Sequence, residues 1–139
     1  FLDRHGIAPD RIVLYGESLG SGVAALLGTE RAPAALVLEA PFSSLVDAGA
    51  AHYPIFPVRW VVRDRFDSLA KIGAVRTPVL VMHGDQDRVV PVRLGRKLLG
   101  AARAPKQGLF VPRAGHNDLY DHGAADAVVG FVERYLGKT

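Results

Sequence analysis

Ile12-Val13-Leu14-Tyr15-Gly16-Glu17-Ser18-Leu19-Gly20-Ser21-Gly22-Val23-Ala24-Ala25-Leu26-Leu27-Gly28 decides how the rest of the chain is read. A short apolar run, Ile12 to Tyr15, gives way through a G-x-S-x-G pattern to a stretch rich in Ala, Leu and small residues. The run is continuous rather than alternating, as expected of a strand covered on both faces of a parallel sheet. Leu19 to Gly28 reads as a helix. A serine at such a joint, with glycines two positions to either side, has the layout of a nucleophile elbow. The glycines let the backbone bend tightly and let helix approach strand. The serine oxygen then stands at the sheet edge, beside a helix N-terminus that favours developing negative charge.

Three more apolar runs follow: Ala34 to Leu38, Val79 to Met82 and Gly108 to Val111. Helical stretches are predicted over Pro91–Ala102, with its proline in the first turn, and over Asp118–Leu136. The second carries apolar positions Ala125, Val128, Val129, Val132 and Leu136 at helical spacing and stops at Gly137. Strands alternating with helices predict an α/β fold, a mostly parallel sheet with helices on both faces. Residues 41–77 break the rhythm. Prolines interrupt His52-Tyr53-Pro54-Ile55-Phe56-Pro57, and such a long connection reads either as a lid or pocket wall or as a helix covering one sheet face.

Two further loops carry candidate chemistry. His83-Gly84-Asp85-Gln86-Asp87-Arg88-Val89-Val90-Pro91 follows the third run, where parallel sheets place their active sites. Asp85 reads as the turn residue and Asp87 as the functional carboxylate. Gly115-His116-Asn117-Asp118 follows the fourth run, and a loop histidine, with an ordinary pKa of about 6.5, suits a general base. His5, His52 and His122 have blander settings, and His83, ending a buried strand, reads as a hydrogen-bonded core residue.

The order Ser, Asp, His on the loops after successive strands resembles the α/β-hydrolase superfamily. So do the elbow, an H-G-x-x-D-x-x-V-P pattern at His83 to Pro91, and a G-x-G-H-N-D type of pattern ending at Asp118. Ala40-Pro41-Phe42-Ser43-Ser44 and Arg63-Asp64-Arg65-Phe66-Asp67 further resemble bacterial serine hydrolases of the thioesterase and lysophospholipase kind. The resemblance implies that the chain, 1–139, is one N-terminally incomplete hydrolase domain supplying strands five to eight of an eight-stranded sheet. It implies Ser18 as nucleophile, Asp87 as acid, His116 as base and the Leu19 backbone N–H as one oxyanion donor. The family's second donor comes from a loop after the third strand, which this sequence does not contain. The expected reaction cleaves an ester, thioester or related acyl bond through an acyl-enzyme, with no cofactor and no metal.

Composition narrows the partners. Hydrophobic residues make up 49% of the 139 and charged ones 22%, which are globular proportions. The net charge of +3 comes from scattered Lys and Arg, without the basic stripe that a nucleic-acid partner calls for. There is no cysteine and no apolar run of membrane-spanning length, so a cytoplasmic setting is expected, and the resemblance implies a small-molecule acyl substrate. The chain opens on Phe1 rather than Met, inside what reads as a helix end, so a longer natural polypeptide is expected. Either its first half or a second chain should cover the open edge of the Ile12–Tyr15 strand. Tyr53, Ile55, Phe56 and Trp60 are candidate walls of an acyl pocket, or ordinary core. The rival readings are a peptidase-type serine hydrolase, a haloalkane-type hydrolase, which Ser18 disfavours because that chemistry wants a carboxylate nucleophile, and a non-catalytic interaction module that kept the fold.

Overall fold

A computed structural model describes residues 2–44, 67–103 and 105–136. After two short 3-10 turns, Leu2–His5 and Pro9–Arg11, the order is β1 (Val13–Glu17), α1 (Leu19–Glu30), β2 (Ala35–Glu39), α2 (Ser68–Ile72), β3 (Val79–Gly84), α3 (Val92–Ala101) and β4 (Lys106–Val111). A 3-10 turn at Leu119–His122 and α4 (Ala124–Tyr135) close it. The four strands form one wholly parallel sheet in the order β1-β2-β3-β4. Their C-terminal ends therefore lie along one rim, and the loops that leave them converge there.

Period-2 alternation sorts each strand onto two cores. Leu36, Leu38, Val79 and Val81 pack with Ala24 of α1, Ile72 of α2, Val75 and Leu98 of α3. Ala35, Val37, Leu80 and Met82 pack on the opposite face with Leu119 and with Ala124 and Phe131 of α4. Every residue of β2 and β3 is buried, as their continuous apolar sequences predict. β1 and β4 lie at the edges of this sheet and are only partly buried, so the expectation of two covered faces holds for the inner pair alone.

Two helical expectations change. Asp118–Leu136 is not one helix, because Gly123 adopts φ 83° and separates the 3-10 turn from α4. The face that α4 buries is Ala124, Val128, Phe131, Val132 and Tyr135, while Val129 and Leu136 are exposed. An aromatic pair, Phe131 edge-on to Tyr135 at 5.1 Å, anchors it. Within 41–77, the described part holds a regular element: α2, capped by Asp67, which accepts a 3.0 Å bond from Ala70 N–H. Residues 45–66, with Tyr53, Ile55, Phe56 and Trp60, lie outside the described residues, and so do most of the proposed lid and Arg63 to Phe66.

Candidate active site

Ser18 alone joins β1 to α1, and it does so at φ 47°, ψ −115°. A non-glycine residue there stores on the order of 1–3 kcal/mol of strain, which surrounding bonds must hold. Ser18 N–H donates to Glu39 O at the end of β2 (2.9 Å), and Ser18 O accepts from Ser21 N–H (3.0 Å) and Ser21 Oγ (2.5 Å). The two pattern glycines differ in their reasons. A Cβ on Gly16 would lie 2.5 Å from Gly20 O and 2.7 Å from Ala24 Cβ, so helix and strand meet there only because it is glycine. A Cβ on Gly20 would meet no described atom within 4 Å, so the tight approach rests on Gly16 rather than on both glycines.

The loops after β3 and β4 bring Asp87 and His116 to Ser18. His116 Nδ1 lies 2.7 Å from Asp87 Oδ2, and His116 Nε2 lies 3.2 Å from Ser18 Oγ. Asp87 Oδ1 accepts from Val89 N–H and Val90 N–H, both at 2.8 Å. Burial opposes ionisation of Asp87, but the bonds from His83 and His116 and from the Val90 and Val89 N–H groups overcome it, holding its carboxyl down at about 2. An ionised Asp87 can only accept, so His116 Nδ1–H donates to it and Nε2 is the nitrogen that faces the serine hydroxyl. Asp85 sits in the turn before Asp87, and its carboxylate pairs with Arg96 at 2.9 Å. Asp118 faces the backbone instead, accepting from Gly115 N–H at 2.6 Å and so bracing the histidine loop from within.

The loops that carry Asp87 and His116 interlock. Asp85 N–H donates to Val111 O (3.0 Å) and Gln86 N–H to Ala114 O (2.9 Å). A Cβ on Gly84 would lie 2.3 Å from both Ala114 O and Gly115 O, so only glycine admits this approach. The histidine pattern departs from the family form at its first position. Arg113 stands where a glycine would, and it takes φ 69° itself. Leu19 is the first residue of α1, where backbone N–H groups have no acceptor inside the helix and remain available.

One polar cluster beside the site was not anticipated. Tyr15 O–H donates to Glu39, and Tyr15 and Tyr120 hydroxyls lie 2.6 Å apart, tying the turn that follows His116 to the ends of β1 and β2. Burial raises the Glu39 carboxyl above its ordinary range, against the Tyr15 bond and with the Glu17 charge. Burial and the Glu39 and Tyr120 bonds raise the Tyr15 phenol. The signal in sequence was a lone Glu ending an otherwise apolar strand. Two open clefts, of about 440 and 390 Å³, lie at the other end of the sheet, lined by residues such as Ala74, Arg76 and Arg103.

No family model matches the chain. An uncharacterized protein of Mycobacterium tuberculosis is 47% identical over 135 residues, covering 96% of this chain and 47% of the relative. The human alpha/beta hydrolase domain-containing protein 17B is 31% identical over 122 residues, covering 86% of this chain and 40% of that protein. The chain thus spans about half the length, or less, of these relatives. The esterase domain of a Rhodothermus marinus protein superposes with a TM-score of 0.75 at 20% identity, covering 99% of this chain and 65% of that one. Together with the parallel sheet and its helices, these findings give the chain the α/β-hydrolase fold, of which it carries the C-terminal half, and make it similar to proteins named for that superfamily. No helix among the described residues is long and apolar enough to cross a membrane.

Proposed function

We propose that the chain supplies the nucleophile, acid and base of a serine hydrolase acting on an ester, thioester or related acyl bond. The observation that carries this reading is the unbroken line Ser18 Oγ, His116 Nε2, His116 Nδ1, Asp87 Oδ2, with the serine held in a strained turn at a helix N-terminus. In the reaction, Ser18 Oγ attacks the acyl carbon while its proton passes to His116 Nε2. Asp87 orients the imidazole and stabilises its charged form, and Leu19 N–H donates to the developing oxyanion. His116 then gives the proton to the leaving oxygen or sulfur, and the acyl group remains on Ser18. Water, deprotonated by His116, attacks the acyl-enzyme and releases the acid.

The second oxyanion donor and a strand on the open side of β1 belong, in this reading, to the other half of a longer polypeptide. Relatives about twice as long support that over a second chain. A binding module would have no use for three side chains aligned in this way, which weighs against the interaction-module reading. The test is a fluorophosphonate probe on the full-length protein. Labelling at Ser18 that is lost in Ser18→Ala is expected, and labelling that survives the substitution refutes the reading. Turnover of p-nitrophenyl esters of graded length then places the acyl specificity.

A further inference from the structure

His83 is fully buried at the end of β3, and nothing in the reaction above uses it. Its Nε2 lies 2.8 Å from Val90 O and 3.2 Å from Asp87 Oδ2, the carboxylate oxygen that also faces His116. Among the described residues its Nδ1 has no hydrogen-bond partner. Gly95 of α3 packs against that nitrogen, and a Cβ there would come within 2.4 Å of it. A proton on Nδ1 would be a buried donor with nothing to receive it, at a cost of about 1–3 kcal/mol. The proton therefore sits on Nε2, where two acceptors await it.

We propose that His83 is a positioning residue for the Ser18–His116–Asp87 chemistry, its Nε2–H stapling the Asp87 carboxylate and the Val90 carbonyl into one rigid acid loop, with Gly95 as the notch that admits the ring. The inference rests on the serine-hydrolase reading of the site. With His83 in place, Asp87 has four N–H groups within 3.2 Å: Val89 and Val90 at Oδ1, His83 and His116 at Oδ2. A carboxylate so filled cannot rotate about its last torsion without breaking several bonds at once. Oδ2 is thus fixed at the place from which it orients the imidazole. Without His83, Oδ2 has one donor fewer and Val90 O is left buried without this partner. The carboxylate is then free to swing, and His116 loses its alignment with Ser18.

The test compares His83→Leu and His83→Gln in the full-length protein, with p-nitrophenyl acetate as substrate and Ser18→Ala alongside. Leucine fills the space without a donor, whereas glutamine can return an N–H near the Nε2 position. The expected result is a kcat lowered about 10- to 100-fold in His83→Leu with KM little changed, and largely restored in His83→Gln. A role in folding alone would lower the melting temperature without separating kcat from KM and without rescue by glutamine. A kcat in His83→Leu within about twofold of wild type, or a glutamine variant as slow as the leucine one, overturns the proposal. Should His83→Leu not fold, ¹⁵N NMR of the wild-type protein still decides. The Nε2–H tautomer is expected for His83, and the Nδ1–H tautomer refutes the staple. Hydrolysis that survives Ser18→Ala refutes the serine-hydrolase reading itself, so the two failures are told apart.

Discussion

Gly84→Ala tests the interlock between the acid and base loops. The new methyl carbon would start 2.3 Å from the carbonyl oxygens of both Ala114 and Gly115, whereas real Cβ atoms essentially never come closer than 3.0 Å. The histidine loop must therefore retreat by at least 0.7 Å, the difference between those two distances. His116 directly follows Gly115, so most of that retreat reaches the imidazole. Lengthened by that amount, its 2.7 Å bond to Asp87 would become about 3.4 Å and its 3.2 Å approach to Ser18 about 3.9 Å, both longer than an ordinary hydrogen bond. A misplacement of about 1 Å costs up to about 100-fold in rate, so kcat should fall about 10- to 100-fold while KM changes little. Strain of this kind also destabilises by about 1–3 kcal/mol. Thermal unfolding followed by circular dichroism, and p-nitrophenyl acetate turnover measured well below the melting point, separate the two effects. A folded Gly84→Ala protein with kcat within about twofold of wild type would show that the loops do not move together.

Three other outcomes follow. Gly130 lies exposed inside α4 with no described atom within 4 Å of a built Cβ, so Gly130→Ala should stabilise by about 0.5–1 kcal/mol in chemical denaturation, and a loss of stability would contradict the open helix face. Ser18→Gly should unfold later than Ser18→Ala by about 1 kcal/mol, since glycine relieves the strain at φ 47° and alanine keeps it; equal stabilities would mean that the turn is unstrained. The Asp87 carboxyl sits at about 2 rather than 3.8, so its contribution to stability is present above about pH 4 and is lost as pH falls from there toward 2. Asp87→Asn should accordingly lose less stability than wild type over that interval in acid titrations, and parallel curves would refute the depressed carboxyl.

Most of the sheet was legible because β2 and β3 are buried along their whole length, and continuous apolar runs mark such strands. Edges were harder: Lys106 and Gln107 of β4 are polar, so that strand begins two residues before the apolar signal. The split before α4 escapes a periodicity reading because apolar spacing carries no sign that Gly123 takes a left-handed backbone. Ser18, Asp87 and His116 stood out by chemistry and by loop position. The Tyr15–Glu39–Tyr120 cluster did not, because its members lie far apart in sequence and only the parallel register, with Tyr15 opposite Val37 and Glu17 opposite Glu39, brings them to one face. His83 was legible as buried and bonded. Its unpartnered nitrogen was not, since that depends on how closely α3 approaches β3.

The Gly84 contact has a mechanical consequence. With their backbones bolted together, the Asp87 and His116 loops form one body, and Ser18, on the far side of β2, belongs to another. Besides the strand ladders, Ser18 N–H to Glu39 O at 2.9 Å, Ala40 N–H to Met82 O at 2.8 Å and the Tyr15 and Tyr120 hydroxyls at 2.6 Å link the two among the described residues. A small shear of β1 along β2 would open or close the gap between serine and histidine while leaving the 2.7 Å histidine–aspartate bond untouched.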